Sequence, residues 1–173
     1  RVTAIEQDPE IAEIAKFNLR NFNVEVICAD ATEFEIPLDA AMVFVDPARR
    51  DPQAAKSITG ETKRVSNPQQ WSPSWPFIQE VATRFPVMAK VAPGVDDETI
   101  GTWCAGFISV NGDLVEALLT SFDTGRIAVL MNDDGTARFT GGQETQVAAI
   151  GSYLIVPDPA LVRARALDAI ADK

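Results

Sequence analysis

The segment Val43-Phe44-Val45-Asp46-Pro47-Ala48-Arg49-Arg50 is an apolar run that stops at Asp-Pro. Two runs upstream also end on an acid: Val2-Thr3-Ala4-Ile5-Glu6 and Val24-Glu25-Val26-Ile27-Cys28-Ala29-Asp30. Short runs rich in β-branched residues read as strands. A carboxylate at the C-terminal tip of each would line up the three acids along one edge of a parallel sheet. In open α/β sheets that edge is where ligands bind. The pattern points to a nucleotide-like ligand held by acids, with chemistry near Asp46.

The segments between these runs support such a sheet. Asp8-Pro9 is a helix start, with an acid at the cap and Pro at the first helical position. Ile11, Ile14, Ala15 and Leu19 then recur at helical spacing, and Asn21–Asn23 close the element. The third strand is expected over Ala41–Val45. Asp51–Pro76 is polar, carries Pro52, Pro68, Pro73 and Pro76, and reads as a long loop of the kind that is usually functional or mobile. A helix near Phe77–Phe85 leads to a strand over Val87–Val91, closed by Pro93-Gly94. This β-α-β-(α)-β-α-β rhythm implies a parallel sheet covered by helices.

After Gly94 the texture changes. Phe107–Val110, Leu114–Phe122 and Arg126–Asn132 read as strands, and Asn111-Gly112 and Asp134-Gly135 are two-residue hairpin signals, the second before a strand over Thr136–Thr140. Gly141-Gly142 marks a break, Ser152–Val156 is one more candidate strand, and Asp158–Lys173 reads as an amphipathic helix. The division expected is a core over residues 1–94 and a β-rich, antiparallel completion of the sheet over residues 95–173. Arg1 enters a strand directly and the last helix simply stops, so the reading expects a fragment.

Composition narrows the chemistry. The chain has no histidine, which removes His triads, His-ligated metals and His bases, and its two cysteines, Cys28 and Cys104, are too few for a disulfide framework or a zinc site. No apolar stretch approaches the ~18–20 residues that span a bilayer, and a cytoplasmic, reduced protein is expected. A net charge of −10 argues against a freestanding nucleic-acid binder. Yet between Pro47 and Arg64 five basic residues (Arg49, Arg50, Lys56, Lys63, Arg64) face only Asp51 and Glu61. That local basic island reads equally as a solvated loop.

Each acid also has a plain structural alternative. Glu6 can be a solvated residue on the approach to a helix, and Asp30 and Asp46 can cap the turns that follow them. It is their joint occurrence at successive strand ends that carries the functional reading.

At these residues the chain resembles class I S-adenosylmethionine-dependent methyltransferases, and more closely the bacterial methyltransferases with a THUMP-like C-terminal region. The resemblance is carried by Val2–Glu10, Cys28–Ala31, Asp46–Arg50, Lys63-Arg64, Trp71-Ser72-Pro73, Lys90–Gly94 and the tail pieces Gly125–Leu130 and Pro157–Ala164. It implies a Rossmann-like methyltransferase sheet lacking its N-terminal strand. Glu6 would bind the cofactor ribose and Asp30 the adenine amine, with Gln7 and Ala31 also among the cofactor-binding residues. The turn Asp46, Pro47, Ala48, Arg49 would sit beside the transferred methyl. Arg50, Lys63, Arg64 and Trp71 would grip substrate, with RNA as the favoured acceptor and no metal.

Two departures stand out. Related amino-methylating enzymes read Asp/Asn-Pro-Pro-aromatic at this turn, whose carbonyl and side-chain oxygen hold the target nitrogen. Here Ala48 and Arg49 replace the second Pro and the aromatic, leaving Trp71 or Trp75 to stack a base or to anchor packing. The family's glycine-rich cofactor turn would precede Arg1, so this fragment alone is expected to bind cofactor weakly. The rival readings are a non-catalytic interaction module that keeps the fold, and a methyltransferase for small molecules or proteins.

Overall fold

The structure is a computed structural model of the chain, and it describes residues 1–49, 67–142, 149 and 151–171. The chain divides into two units, Arg1–Ala40 and Ala41–Lys173.

The first unit is a β-α-β element: β1 (Val2–Glu6), α1 (Pro9–Leu19) and β2 (Val24–Cys28). The two strands pair in parallel, with Val2 opposite Val24 and Glu6 opposite Cys28. Asp8 caps α1 as expected, its carboxylate accepting from the Glu10 and Ile11 N–H groups at 2.8 and 3.1 Å. Pro9 begins the helix where no N–H partner is needed. The packed face differs from the one expected. Ala12 is buried and Ala15 and Leu19 are half-buried, whereas Ile11 and Ile14 are exposed. Two alanines let the helix lie close to the strands, and that turns the larger isoleucines outward.

The second unit contains β3 (Val43–Val45), α2 (Trp75–Ala82), β4 (Val87–Val91), α3 (Asp97–Ile100), β5 (Cys104–Val110), β6 (Asp113–Thr120), β7 (Arg126–Asn132), β8 (Gly135–Gly141), α4 (Pro159–Ala164) and α5 (Asp168–Ala171). Its six strands form one sheet in the order β3-β4-β6-β5-β7-β8. β3 and β4 are parallel, and β6 runs antiparallel to both β4 and β5. The β5–β6 turn places Asn111 and Gly112 at φ 52° and 87°, the positive values that a two-residue hairpin of this twist demands. The antiparallel expectation fails at one place: after β6 the chain crosses β5, and β7 pairs in parallel with the far edge of β5 before turning back as β8. The sheet is therefore mixed.

One face of this sheet carries the core. Val87, Ala89, Val91, Ala105, Phe107, Ala117 and Leu119 are buried there with Trp75 and Ile78 of α2 and Ala160, Leu161 and Ala164 of α4. Alternation along each strand sends Met88, Lys90, Glu116 and Leu118 to the other face. Asp158 caps α4 through the Ala160 N–H at 2.7 Å and accepts from the buried Ser109 hydroxyl at 2.7 Å, tying the helix to β5. Arg163 lies over the Phe107 ring and donates to the Pro93 carbonyl at 3.0 Å and to that of Val95. At Gly141 even a Cβ would fall 1.8 Å from the Ala164 carbonyl oxygen, so α4 ends against β8 backbone.

Four further expectations change. β1 and β2 form a sheet of their own while β3 and β4 belong to the six-stranded sheet that β5 to β8 complete, so Glu6, Asp30 and Asp46 do not line one edge of a single parallel sheet. The division between units falls after Ala40. Ser152–Val156 is not a strand, and Tyr153 to Val156 stand exposed. The last helix is broken where Arg165 takes φ 55°, a left-handed conformation that ends α4. No helix among the described residues is long and apolar enough to cross a membrane.

Candidate functional site

The acids of the first unit close their strand ends through short-range bonds. The Glu6 carboxylate accepts from the Asp8 N–H at 2.8 Å, and its carbonyl accepts from the Ala29 N–H at 3.0 Å. Gln7 is joined to β2 as well, its carbonyl accepting from the Cys28 Sγ at 3.9 Å. Beyond β2, Asp30 Oδ1 accepts from both the N–H and the hydroxyl of Thr32, at 2.8 and 2.7 Å. These bonds favour the ionised carboxyl and pull the Asp30 pKa below its ordinary value. Asp30 is exposed, Glu6 and Ala31 are half-buried, and Asp30 does cap its turn. An ionised acceptor and a neighbouring half-buried carboxylate at the ends of paired parallel strands fit a ligand that offers hydroxyl and amine donors.

Asp46 belongs to the second unit. It follows Val45, whose partner across the parallel pair is Ala89, and so lies level with Lys90. Lys90 in turn pairs with Leu118 on β6, which puts Glu116 two residues away on the same face. Register alone thus brings an ammonium between two carboxylates. The Lys90 Nζ lies 2.9 Å from Asp46 Oδ2 and 3.7 Å from Glu116 Oε2, with side chains 32%, 49% and 34% exposed respectively. The bond to Asp46 is the main cause that raises the Lys90 pKa above its ordinary value, with Glu116 adding and Arg49 opposing. Ion pairs this exposed contribute only ~0–1 kcal/mol to stability.

The rest of the turn is locked to backbone. Pro47 is fully buried, and Ala48 forms an isolated bridge with Ser72, N–H to carbonyl at 2.7 Å one way and 3.0 Å the other. This anchors the turn to the Trp71-Ser72-Pro73 segment that the resemblance singles out. Trp71 and Trp75 are 6% and 5% exposed and meet edge to face at 6.1 Å. Both rings are packing anchors, and neither offers a face for a base to stack on. Arg49 is half-buried beside this turn. Arg50, Lys63 and Arg64, with the rest of the basic island, lie outside the described residues.

The structure therefore brings together Glu6, Gln7 and Asp30 in one unit, and Asp46 with Ala48 and Arg49 in the other. Glu116 was not singled out by the sequence, and Lys90 only as the start of a strand-end motif. The available signal was a single charge interrupting an apolar strand in Val-Met-Ala-Lys-Val and again in Leu-Val-Glu-Ala-Leu-Leu. Among the described residues, no group of three or more His, Cys, Asp or Glu side chains could hold a metal ion. No protein-family model matches the chain, and comparison with curated proteins finds no relative.

Proposed function

We propose that the protein is an S-adenosylmethionine-dependent methyltransferase acting on RNA. The observation that carries this reading is the position of the acids. Glu6 and Asp30 stand at the C-terminal ends of the parallel pair β1 and β2, and Asp46 at that of β3 beside β4. Ligands of α/β sheets bind at such ends, and an acid there accepts from ribose hydroxyls. Glu6 and Gln7 would hold the ribose, and Asp30 and Ala31 the adenine, with Asp30 kept ionised by Thr32.

When bound, S-adenosylmethionine supplies a methyl group already activated on a sulfonium. The chain's task is alignment, which supplies much of the rate gain in a two-reactant step. Buried Pro47 and the Ala48–Ser72 bridge fix the turn that presents the acceptor, and Arg49 begins the basic segment that would meet RNA phosphates. The net charge of −10 favours a second reading, a small-molecule or protein acceptor. Calorimetric titration with S-adenosylmethionine tests the proposal: the full-length protein is expected to bind, and Asp30→Ala to weaken binding by roughly tenfold, the loss of one charge-assisted hydrogen bond. Absence of binding by the unmutated protein would refute it.

A further inference from the structure

We infer that the chain associates with a second copy of itself by exchanging arms: Ser152–Val156 of each copy adds as a strand to the free edge of β8 in the other. Two features of the second unit carry this, each incomplete alone. β8 stands at the end of the sheet order and, among the described residues, pairs on one side only, with β7. Its outer side presents N–H and C=O groups that another strand can take up. Ser152–Val156 has the composition of a strand, bounded by Gly151 and Pro157, yet it is not one and makes no backbone hydrogen bond among the described residues. Tyr153, Leu154 and Val156 are 91%, 94% and 86% exposed. A contiguous apolar segment left in water marks an interaction surface.

A second copy is the partner that fits. Each chain carries both halves of the joint, so a two-fold axis lets every copy give one arm and receive one through the same contacts. Within a single chain the arm is left unpaired although it is tethered near β8. Asp158, just past Pro157, accepts from Ser109, and Ser109 pairs with Leu130, which pairs with Ala137 of β8. The arm thus leaves the sheet level with Ala137. Charge does not oppose the contact. The chain carries a net charge of −10, yet neither Gly135–Gly141 nor Ser152–Val156 contains an Asp or Glu, and Arg138 is the one charged residue in the two segments.

The area is also sufficient. In an added strand Tyr153 and Ile155 turn to one face and Leu154 and Val156 to the other. One of these pairs extends the core face beside Phe139, which already packs against the core. Four apolar side chains bury about 400 Å² per arm, since an aromatic alone carries ~150–250 Å². Two arms and the two edges that receive them reach roughly 1,600 Å², the size of a standard stable interface. The main-chain ladder holds the arm, and its alternate side chains fix the partner, as in other strand additions to a sheet edge.

The test combines sedimentation over a range of concentrations with a benzoylphenylalanine photoprobe at position 153. The unmutated protein is expected to sediment as a dimer at micromolar concentration and above, the weak end of what an interface of this size gives. Leu154→Asp with Ile155→Asp should raise the dissociation constant about 100-fold or more, the loss of two buried aliphatic side chains. The melting temperature of the dilute, monomeric protein should not change, because both side chains are exposed in the single chain. In a mixture of isotopically heavy and light copies, the probe should join a heavy chain to a light one within Gly135–Gly141. A protein that stays monomeric at every concentration overturns the inference. So do crosslinks confined to one chain or to segments other than β8, and a dimer that the paired Asp substitutions leave intact. None of these outcomes touches cofactor binding, so the methyltransferase reading is tested separately.

Discussion

In the unit Arg1–Ala40, Ala12 is the one fully buried residue, and Ile11, Ile14, Phe17 and Phe22 are exposed. In the unit Ala41–Lys173, a sheet face and two helices bury Phe107, Ile78, Ile100, Leu119, Val87 and Val91 almost completely. Both units carry acids at strand ends, yet they hold them by different means. Glu6 and Asp30 are set by caps and turns within two or three residues. Asp46 is set by strand register, a buried proline and a bridge to Ser72, 26 residues from it in sequence. A two-stranded sheet with one helix is marginal by itself, so the residues assigned to the cofactor rest on local bonds. Those assigned to the acceptor rest on a packed frame.

The widest contrast lies between one phenylalanine in each unit. Phe107→Ala empties the core under Arg163 and is expected to destabilise the second unit by about 3–5 kcal/mol. Phe17→Ala, at a side chain 66% exposed, should stay within about 0.5 kcal/mol. Denaturant unfolding of both variants checks this, and equal losses would erase the difference in packing. Next in size, Gly141→Ala forces α4 away from β8 backbone and should cost about 1–3 kcal/mol, read as a fall in melting temperature. A neutral result would mean that α4 does not end where described.

Local bonds are expected to weigh less. Asp8→Ala removes the α1 cap and should cost about 1 kcal/mol, seen in hydrogen exchange as faster opening of α1 with β5 unchanged. Smallest are the titrations. The Asp30 pKa is lowered from 3.8, so its contribution is present above that value and is lost as pH falls through the depressed one. Lys90 runs the other way. Its pKa is raised from 10.5, so its pairing is complete below that value and is lost as pH climbs through the raised one. Carboxyl and amine resonances followed by NMR would show both, and an Asp30 titrating above 3.8 would contradict the Thr32 bonds.

Much of this frame was legible in the residues. β1, β4 and β7 begin and end where their apolar runs do, Asp8-Pro9 marks α1, and Asn111-Gly112 specifies its hairpin, because each rests on local chemistry. What escaped depends on distant partners. The parallel pairing of β7 with β5 is a matter of topology, and Ser152–Val156 has strand composition without a strand to pair with among the described residues. Ile11 and Ile14 fit helical spacing as well as Ala12 and Ala15, and only the strands beside α1 select between the faces. The Asp46–Lys90–Glu116 cluster joins three strands whose order no single strand states. Its members are plain as charges in apolar runs, but their meeting requires the register.

The most direct test follows hydrogen exchange in the full-length protein with and without S-adenosylmethionine. The account predicts slower exchange at Glu6–Gln7, Asp30–Ala31 and the Ala48–Arg49 end of the acceptor turn, with the core amides of β5 little changed. Protection confined to other segments, or none at saturating ligand, would contradict it.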